Sequence, residues 1–380
     1  MTTTAFSLST PLNPAALQRL LPALVVADSV RFPTDAEDLE CRSDREATRK
    51  HLAAVLDQLG IAWESRALPV MAVDETLPLY QRADAVLTLI APPSVPLPSD
   101  LIAVLAQRNV ELRALRRLSP ADPRGEGELA VEFYLDDWSR CGDLRADLQN
   151  LANRWELDLT LAPSDSKRPR RRLIAFDMDS TLIQCEVIDE LARRAGVGDE
   201  VAGVTARAMR GELDFRQSFR ERMAKLRGLD AREIEAVGNH LPLMPGARAL
   251  MRTLRAQGHH TAILSGGFDY FAKKLTSQIG VNEVHANHLQ IIDEQLTGDV
   301  EGEIVDAERK VLLLREIAAR EGIALADTVA VGDGANDLPM LATAGLGVAF
   351  HAKPRVRESA PCAINHGSLE ALLYVLGVPR

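Results

Sequence analysis

Two carboxylates one residue apart, Asp177 and Asp179, follow directly on the apolar run Leu173-Ile174-Ala175-Phe176 and precede Ser180-Thr181. A short unbroken apolar run marks a strand buried on both faces of a parallel sheet, and ligands of open α/β sheets sit beyond the carboxyl ends of such strands. Two acids placed there can divide two tasks. One can attack a phosphorus atom while the other moves the proton of the leaving oxygen. The plainer reading is a cap on the helix that follows. Three later segments weigh against it. Thr261-Ala262-Ile263-Leu264 reads as another short strand, ending in Ser265-Gly266-Gly267-Phe268, where a hydroxyl and glycine-freed amides can hold phosphoryl oxygens; alone, it is also ordinary turn chemistry. Lys310 opens a helix marked by Val311, Leu314, Ile317 and Ala318, a place where lysine opposes the helix dipole and is usually surface. Thr328 to Val331 reads as a strand entering Gly332-Asp333-Gly334-Ala335-Asn336-Asp337, whose glycines permit a tight loop offering the oxygen ligands that magnesium requires.

In that order, D-x-D-S-T, S-G-G, a lysine and G-D-G-x-N-D resemble the four motifs of the haloacid dehalogenase superfamily of phosphotransferases, over about residues 172–380. The resemblance implies an α/β fold: a Rossmannoid, doubly wound parallel sheet with a helical cap in the long interval between Asp177 and Ser265, at about residues 187–242. Glu186 opens this interval, with Ile188, Leu191 and Ala195 behind it at helical spacing. The stretch GVGDEVAG reads as a break before a second helix ending near Met209 and Gly211. Phe215, Phe219, Met223 and Leu226 then form an apolar stripe with Arg222 beside it. An arginine so placed ordinarily snorkels to water.

Finer residues resemble the phosphoserine phosphatases. Phosphoserine carries an ammonium and a carboxylate at its non-reacting end, and the resemblance gives those groups to Glu186, in LIQCEVID, and Arg222, in FRQSFRERMAKL. Met209 and Phe215 match cap residues near the substrate, or else are cap core. The resemblance further implies Asp177 as nucleophile, Asp179 as general acid and base, and Ser265, Gly266, Lys310 and Asn336 as holders of the phosphoryl group. It implies one Mg²⁺ on Asp177, Asp333 and the main-chain carbonyl of Asp179, with Asp337 orienting a metal-bound water or Lys310. The implied activity is Mg²⁺-dependent hydrolysis of O-phospho-L-serine through an aspartyl-phosphate, the last step of serine biosynthesis. Two alternatives stand beside it: action on another small phosphomonoester, or an idle amino-acid sensor built on the same scaffold.

Other elements carry no assigned chemistry. His259, His260, His285 and His288 read as surface or turn histidines, and residues 284–306 as a hairpin around Asp293 and Gly298. Residues 163–172, PSDSKRPRRR, read as a solvated linker. Before it, residues 84–165 switch period in the order βαββαβ, the split-βαβ plan. The strands are 85–90, 110–118, 129–135 and 155–161, and helices begin at Ser99 and around Leu144. This α+β, ferredoxin-like region resembles ACT domains. ACT domains that bind amino acids usually carry glycine in the first strand-to-helix loop, whereas this loop reads APPSVPLP, so a structural or dimer-forming role is expected. Residues 1–83 are less legible and could hold a degenerate module of the same kind. Ser43 and Glu46 there suggest a capping box for a helix carrying Leu52, Val55, Leu56 and Leu59, with Gly60 at its stop.

The 380 residues exceed one typical core, and 46% hydrophobic with 26% charged residues excludes disorder and fibrous classes. Asp and Glu number 54 against 44 Lys and Arg, a net charge of -10, which disfavours nucleic acid or an anionic membrane and favours a small-molecule partner. No apolar run approaches the roughly 18 residues of a membrane span. The start, MTTTAFSLSTPLNP, lacks the basic region of a secretory signal. Cys41, Cys141, Cys185 and Cys362 are scattered without a C-x-x-C pair, as expected of free thiols in a cytoplasmic protein. A twofold homodimer is the default expectation.

Overall fold

The computed structural model describes residues 2–8, 12–25, 27, 29–32, 38–43, 46–68, 83–92, 95, 97–120, 128–136, 144–163 and 171–379. Most of the linker at 163–172, part of the APPSVPLP loop, Cys141 and the two residues between Ser43 and Glu46 lie outside them, so the expected capping box does too. The chain divides into two compact units. One holds Met1–Arg168 with Ile364–Gly367 and Ala371–Arg380; the other holds Pro169–Ala363 with Ser368–Glu370. Among the described residues no helix is long and apolar enough to cross a membrane.

The first unit is built on strands β1 (Thr2–Leu8), β2 (Ser29–Arg31), β3 (Asp38–Ser43), β4 (Trp63–Leu68), β5 (Ala85–Ala91), β6 (Leu112–Arg117), β7 (Leu129–Leu135) and β8 (Asp158–Pro163). They form one eight-stranded sheet in the order β4-β1-β3-β2-β6-β7-β5-β8. Helices Leu101–Gln107 and Leu144–Trp155 complete the βαββαβ pattern of the second half, and Pro14–Leu24 and Glu46–Gln58 give the first half the same pattern. Each half repeats one strand order, fourth-first-third-second, and β2 joins β6 antiparallel, so the expected boundary near residue 83 separates halves of a single sheet. One apolar core runs beneath both: Leu20, Leu24, Leu52 and Leu56 pack in the same cluster as Leu101, Leu105, Leu148 and Leu151. Gln18 ties the halves further, its Oε1 accepting from Ile102 N at 2.8 Å. Trp155 ends its helix rather than opening β8. A tryptophan at helix spacing from Leu144, Leu148 and Leu151 extends their face, which alternation with Glu156 and Asp158 had masked.

The second unit centres on β9 (Leu173–Phe176), flanked by β10 (His260–Phe268) and β13 (Thr328–Gly332). With β11 (Glu283–Ile292), β12 (Gln295–Glu301), β14 (Leu346–Phe350) and β15 (Cys362–Ile364), the sheet runs β12-β11-β10-β9-β13-β14-β15. The β9, β10, β11, β13 and β14 pairings are parallel, as expected for runs buried on both faces. Helices Ala247–Ala256, Asp269–Ile279, Ala307–Arg320, Leu338–Thr343 and Pro354–Ser359 connect the strands. Leu313, Leu314 and Ile317 dock Ala307–Arg320 onto the sheet, each burial contributing about 1.5–3 kcal/mol.

Four helices, Val187–Arg194, Gly198–Met209, Phe215–Lys225 and Ala231–Gly238, interrupt this plan after β9. Their entry and exit meet where Ile183 pairs with Leu243. The second helix starts inside GVGDEVAG, at Gly198, so the expected break is shorter than its glycines suggest. Asp199 and Glu200 in its first turn favour the helix dipole and offset the glycines. β11 and β12 form the expected hairpin, turning at Asp293 and Glu294 with φ of 50° and 61°. Gly298 is not in that turn. It sits in β12 with φ of 82°, where a side chain would press on Ala224 and Met223 of the helix Phe215–Lys225.

Candidate active site

β9 delivers its aspartates to the carboxyl edge of the sheet because both neighbours run parallel and in register: Phe176 pairs with Ile263 and Val331, and Asp177 N donates to Val331 O at 2.9 Å. The sheet thereby brings the ends of β9, β10 and β13 together. Lys310 sits on the helix face that carries Leu313, Leu314 and Ile317, three, four and seven residues on, and is fully buried. Its Nζ donates to Asp177 Oδ1 at 2.8 Å and to Asp337 Oδ1 at 2.7 Å. Lys310 is therefore a buried bridge between the first and last motif segments, not the surface residue that its place near a helix start would by itself suggest. Losing one partner from a buried pair of this kind costs about 3–5 kcal/mol.

Asp177, Asp333 and Asp337 offer carboxylate oxygens within 4.8 Å of one another. Asp337 also accepts from Gly334 N at 3.0 Å, which curls the loop back on itself. Thr181 Oγ1 donates to Asp333 Oδ1 at 3.4 Å. One ammonium against three carboxylates leaves excess negative charge. Burial, then the Asp337 carboxylate, pushes Asp177 up to about 7 despite Lys310, and burial followed by Asp337 does the same to Asp333, also to about 7. Burial opposes a charged Lys310, yet Asp177 and Asp337 hold it above the ordinary lysine range.

Asp179 lies close enough to Asp177 for the two carboxylates to repel. Its Oδ1 accepts from Val187 N at 3.0 Å, fixing the carboxyl group at the start of the first cap helix. Burial, then repulsion from Glu186 and Asp177, raises it well above the ordinary carboxylate range, which favours its protonated form. Ser265 is fully buried, its Oγ accepting from Gly267 N at 2.9 Å. A side chain at Gly267 would run into the Asp179 carboxylate, Met178 and Ser265 Oγ together, so the third residue of S-G-G must lack one. Asn336 stands beside Asp337, its Nδ2 donating at 3.5 Å.

Glu186 is exposed and accepts from Ser180 Oγ at 2.9 Å. Arg222 is half-buried, its Nε donating to Ser218 O at 3.4 Å, and among the described residues it has no ion-pair partner. Burial draws its guanidinium below the ordinary arginine range while Asp189, Glu186 and Asp179 pull the other way. This cation faces the acid side of the site with its fork free, unlike a snorkelling arginine. Phe215 stacks on Phe219 with centroids 6.1 Å apart and lies against Gly266. Met209 is 71% exposed, which removes cap core as its role. Burial, then Asp179, pushes the Cys185 thiol up to about 12, so it stays protonated beside the site.

Several contributors were not singled out in the sequence. Asn287, buried in β11, donates from Nδ2 to Gly266 O at 2.8 Å and accepts at Oδ1 from Val305 N at 2.8 Å, pinning S-G-G to the approach of the Lys310 helix. Asp306 caps that helix, accepting from Arg309 N at 2.9 Å. An aspartate just ahead of a helical repeat is a readable start signal; nothing in the sequence marks Asn287. The histidines sit apart. His260 Nε2 lies 2.6 Å from Glu283 Oε1 and His285 Nε2 lies 2.9 Å from Glu283 Oε2, and Arg320 also pairs with Glu283. His260, Glu283 and Glu321 could gather round an ion, but Arg320 already takes up the charge of Glu283.

Residues 174–342 match the haloacid dehalogenase-like hydrolase family. A phosphoserine phosphatase of Archaeoglobus fulgidus is 42% identical over 252 residues, 66% of this chain and 73% of that protein. One of Streptomyces coelicolor is 50% identical over 251 residues, 66% of this chain, and the match spans 61% of the relative's length. Among solved structures, a haloacid dehalogenase family hydrolase of Salmonella enterica superposes with a TM-score of 0.68 at 31% identity, covering 77% of this chain and 98% of that one. A probable phosphoserine phosphatase of Vibrio cholerae gives 0.62 at 36% identity, covering 78% and 87%.

Proposed function

The chain belongs to the haloacid dehalogenase-like hydrolases, and on that premise we propose that it hydrolyses O-phospho-L-serine to serine and phosphate with Mg²⁺. One observation carries the reading: a half-buried Arg222, with no ion-pair partner among the described residues, stands with Glu186 on the cap side of a carboxylate cluster bridged by Lys310. The cluster offers chemistry to a phosphate. The cation and anion on the cap side suit the carboxylate and ammonium of a zwitterion. The relatives named as phosphoserine phosphatases support the same substrate.

The donor set fits a hard divalent cation. Its ligands are oxygens, and the repulsion that raises Asp177 and Asp333 is relieved by added positive charge. Asp177, Asp333 and the main-chain carbonyl of Asp179 would hold Mg²⁺, with Asp337 kept for Lys310. When bound, the ion neutralises the phosphate and lets a carboxylate approach it.

The chain's own groups do the rest. An oxygen of Asp177 forms a bond to phosphorus as the bond from phosphorus to the seryl oxygen breaks, and Asp179 gives its proton to that departing oxygen. Asp179, now ionised, takes a proton from water as the water oxygen attacks the aspartyl-phosphate, releasing phosphate and restoring Asp177. Lys310, Ser265 and the Gly266 amide offset charge on the equatorial oxygens while phosphorus is planar, and Asn336 steadies them. Neutral Lys310 is disfavoured by its two carboxylates, so it acts as a fixed cation. The test is phosphate release from L-phosphoserine with Mg²⁺ against a panel of phosphomonoesters. Selectivity for phosphoserine is expected; equal turnover across the panel would leave a general phosphatase instead.

A further inference from the structure

Arg216 is the second residue of the cap helix Phe215–Lys225, and that helix has no acid in its first turn. A cation at this position opposes the helix dipole, so local energetics give no reason for it. Its partner lies outside the cap. Arg216 Nε donates to Asp306 Oδ2 at 2.5 Å. Asp306 is the buried N-cap of Ala307–Arg320: its Oδ1 accepts from Arg309 N and its main-chain carbonyl from Lys310 N, both at 2.9 Å. One carboxylate thus serves two bodies, one oxygen starting the Lys310 helix and the other taking the cap.

The preceding residue reinforces the contact. A methyl group on Gly266 would come within 3.1 Å of Phe215 Cζ and 3.4 Å of Val305 O, so the ring sits directly over S-G-G. Consecutive cap residues therefore touch two of the segments that surround the phosphate. Two further contacts of this helix with the core, Phe219 against Phe268 of β10 and the close approach at Gly298 of β12, are packing without charge.

We propose that Arg216 is a positioning residue that latches the cap, through Asp306, to the first turn of the Lys310 helix. The latch keeps the cap shut while Arg222 holds the far end of the substrate, and in that sense it rests on the phosphatase reading above. Breaking it leaves the chemistry intact but populates an open cap, which binds substrate poorly.

The experiment compares wild type, Arg216→Ala, Asp306→Asn and the double variant in full-length protein. Asparagine keeps the helix cap while losing the charge, so the Lys310 helix still starts normally. Each single change should raise KM for phosphoserine about tenfold, the worth of one charge-assisted hydrogen bond. kcat should stay within about threefold, because the interaction is not one made only in the transition state. The double variant should lose no more than either single one, Arg216→Lys should recover most of the loss, and deuterium uptake in 215–225 should quicken in every latch variant except Arg216→Lys. Multiplying single effects, an unchanged KM, or unchanged uptake would overturn the latch. If wild type fails to hydrolyse phosphoserine, the phosphatase reading falls by itself; uptake then decides the latch alone, faster exchange upholding it and unchanged exchange rejecting it.

Discussion

Replacing Arg222 with alanine should convert a selective enzyme into an indifferent one. The guanidinium is half-buried, its fork has no partner among the described residues, and Asp189, Glu186 and Asp179 lie close enough to act on it electrostatically. A substrate carboxylate docking there would receive two charge-assisted hydrogen bonds, each worth about 1.5–3 kcal/mol. Discounted for the remaining exposure, the pair is worth about 3–4 kcal/mol, or roughly 10²–10³ in kcat/KM. Most of that should fall on KM, since the carboxylate is held alike before and during reaction. Arg222→Lys keeps the charge without the fork and should lose about tenfold. The assay is steady-state phosphate release from L-phosphoserine and from phosphoethanolamine, which keeps the ammonium and lacks the carboxylate. Arg222→Ala should depress the first and spare the second. An equal loss on both would mean that Arg222 supports the fold or the phosphate, and the specificity argument would be wrong.

Three further outcomes follow from the same geometry. Asp179→Asn removes the proton donor and should slow phosphoserine hydrolysis by about 10²–10⁴, with a smaller loss on an aryl phosphate whose leaving group needs no proton, both read by stopped assay. Gly267→Ala forces a methyl group into the Asp179 carboxylate and the buried Met178, and should abolish phosphate release while lowering stability by about 1–3 kcal/mol, read by thermal unfolding. In metal-free protein Asp177 and Asp333 titrate near 7 when folded, against about 3.9 when unfolded. The folded state then binds more protons between those values, so their contribution to stability falls as pH rises from about 4 to about 7. Mg²⁺ should restore it, and the Tm gain on adding Mg²⁺ should therefore grow across that window; a gain independent of pH would count against a carboxylate site.

The parallel core was legible because its strands are short, mostly apolar runs that break abruptly into acidic residues: Leu173 to Phe176 before Asp177, Thr328 to Val331 before Gly332-Asp333. Lys310 was harder. Only its spacing to Leu313, Leu314 and Ile317 places it on the buried face, and charge argues for the opposite face until the two aspartates are seen to meet it. Residues 1–83 were opaque for a different reason. β2 has only three residues, and β3 alternates Leu39, Cys41 and Ser43 with Asp38, Glu40 and Arg42 but offers a single large apolar side chain to mark its buried face, so the repeated strand order emerges only from pairing across β2 and β6. Asn287 was invisible because its work is done through main-chain groups of distant segments, Gly266 O and Val305 N, which leave no local trace in spacing.

The most direct test of the account is where phosphate is held during turnover. Rapid acid quench of protein mixed with phosphoserine and Mg²⁺, followed by mass spectrometry of the proteolytic fragments, should find one phosphoryl group on the peptide containing Asp177 and none in Asp177→Asn. Turnover with no such adduct in the quenched protein, or an adduct on another residue, would contradict the claim that β9 presents the nucleophile.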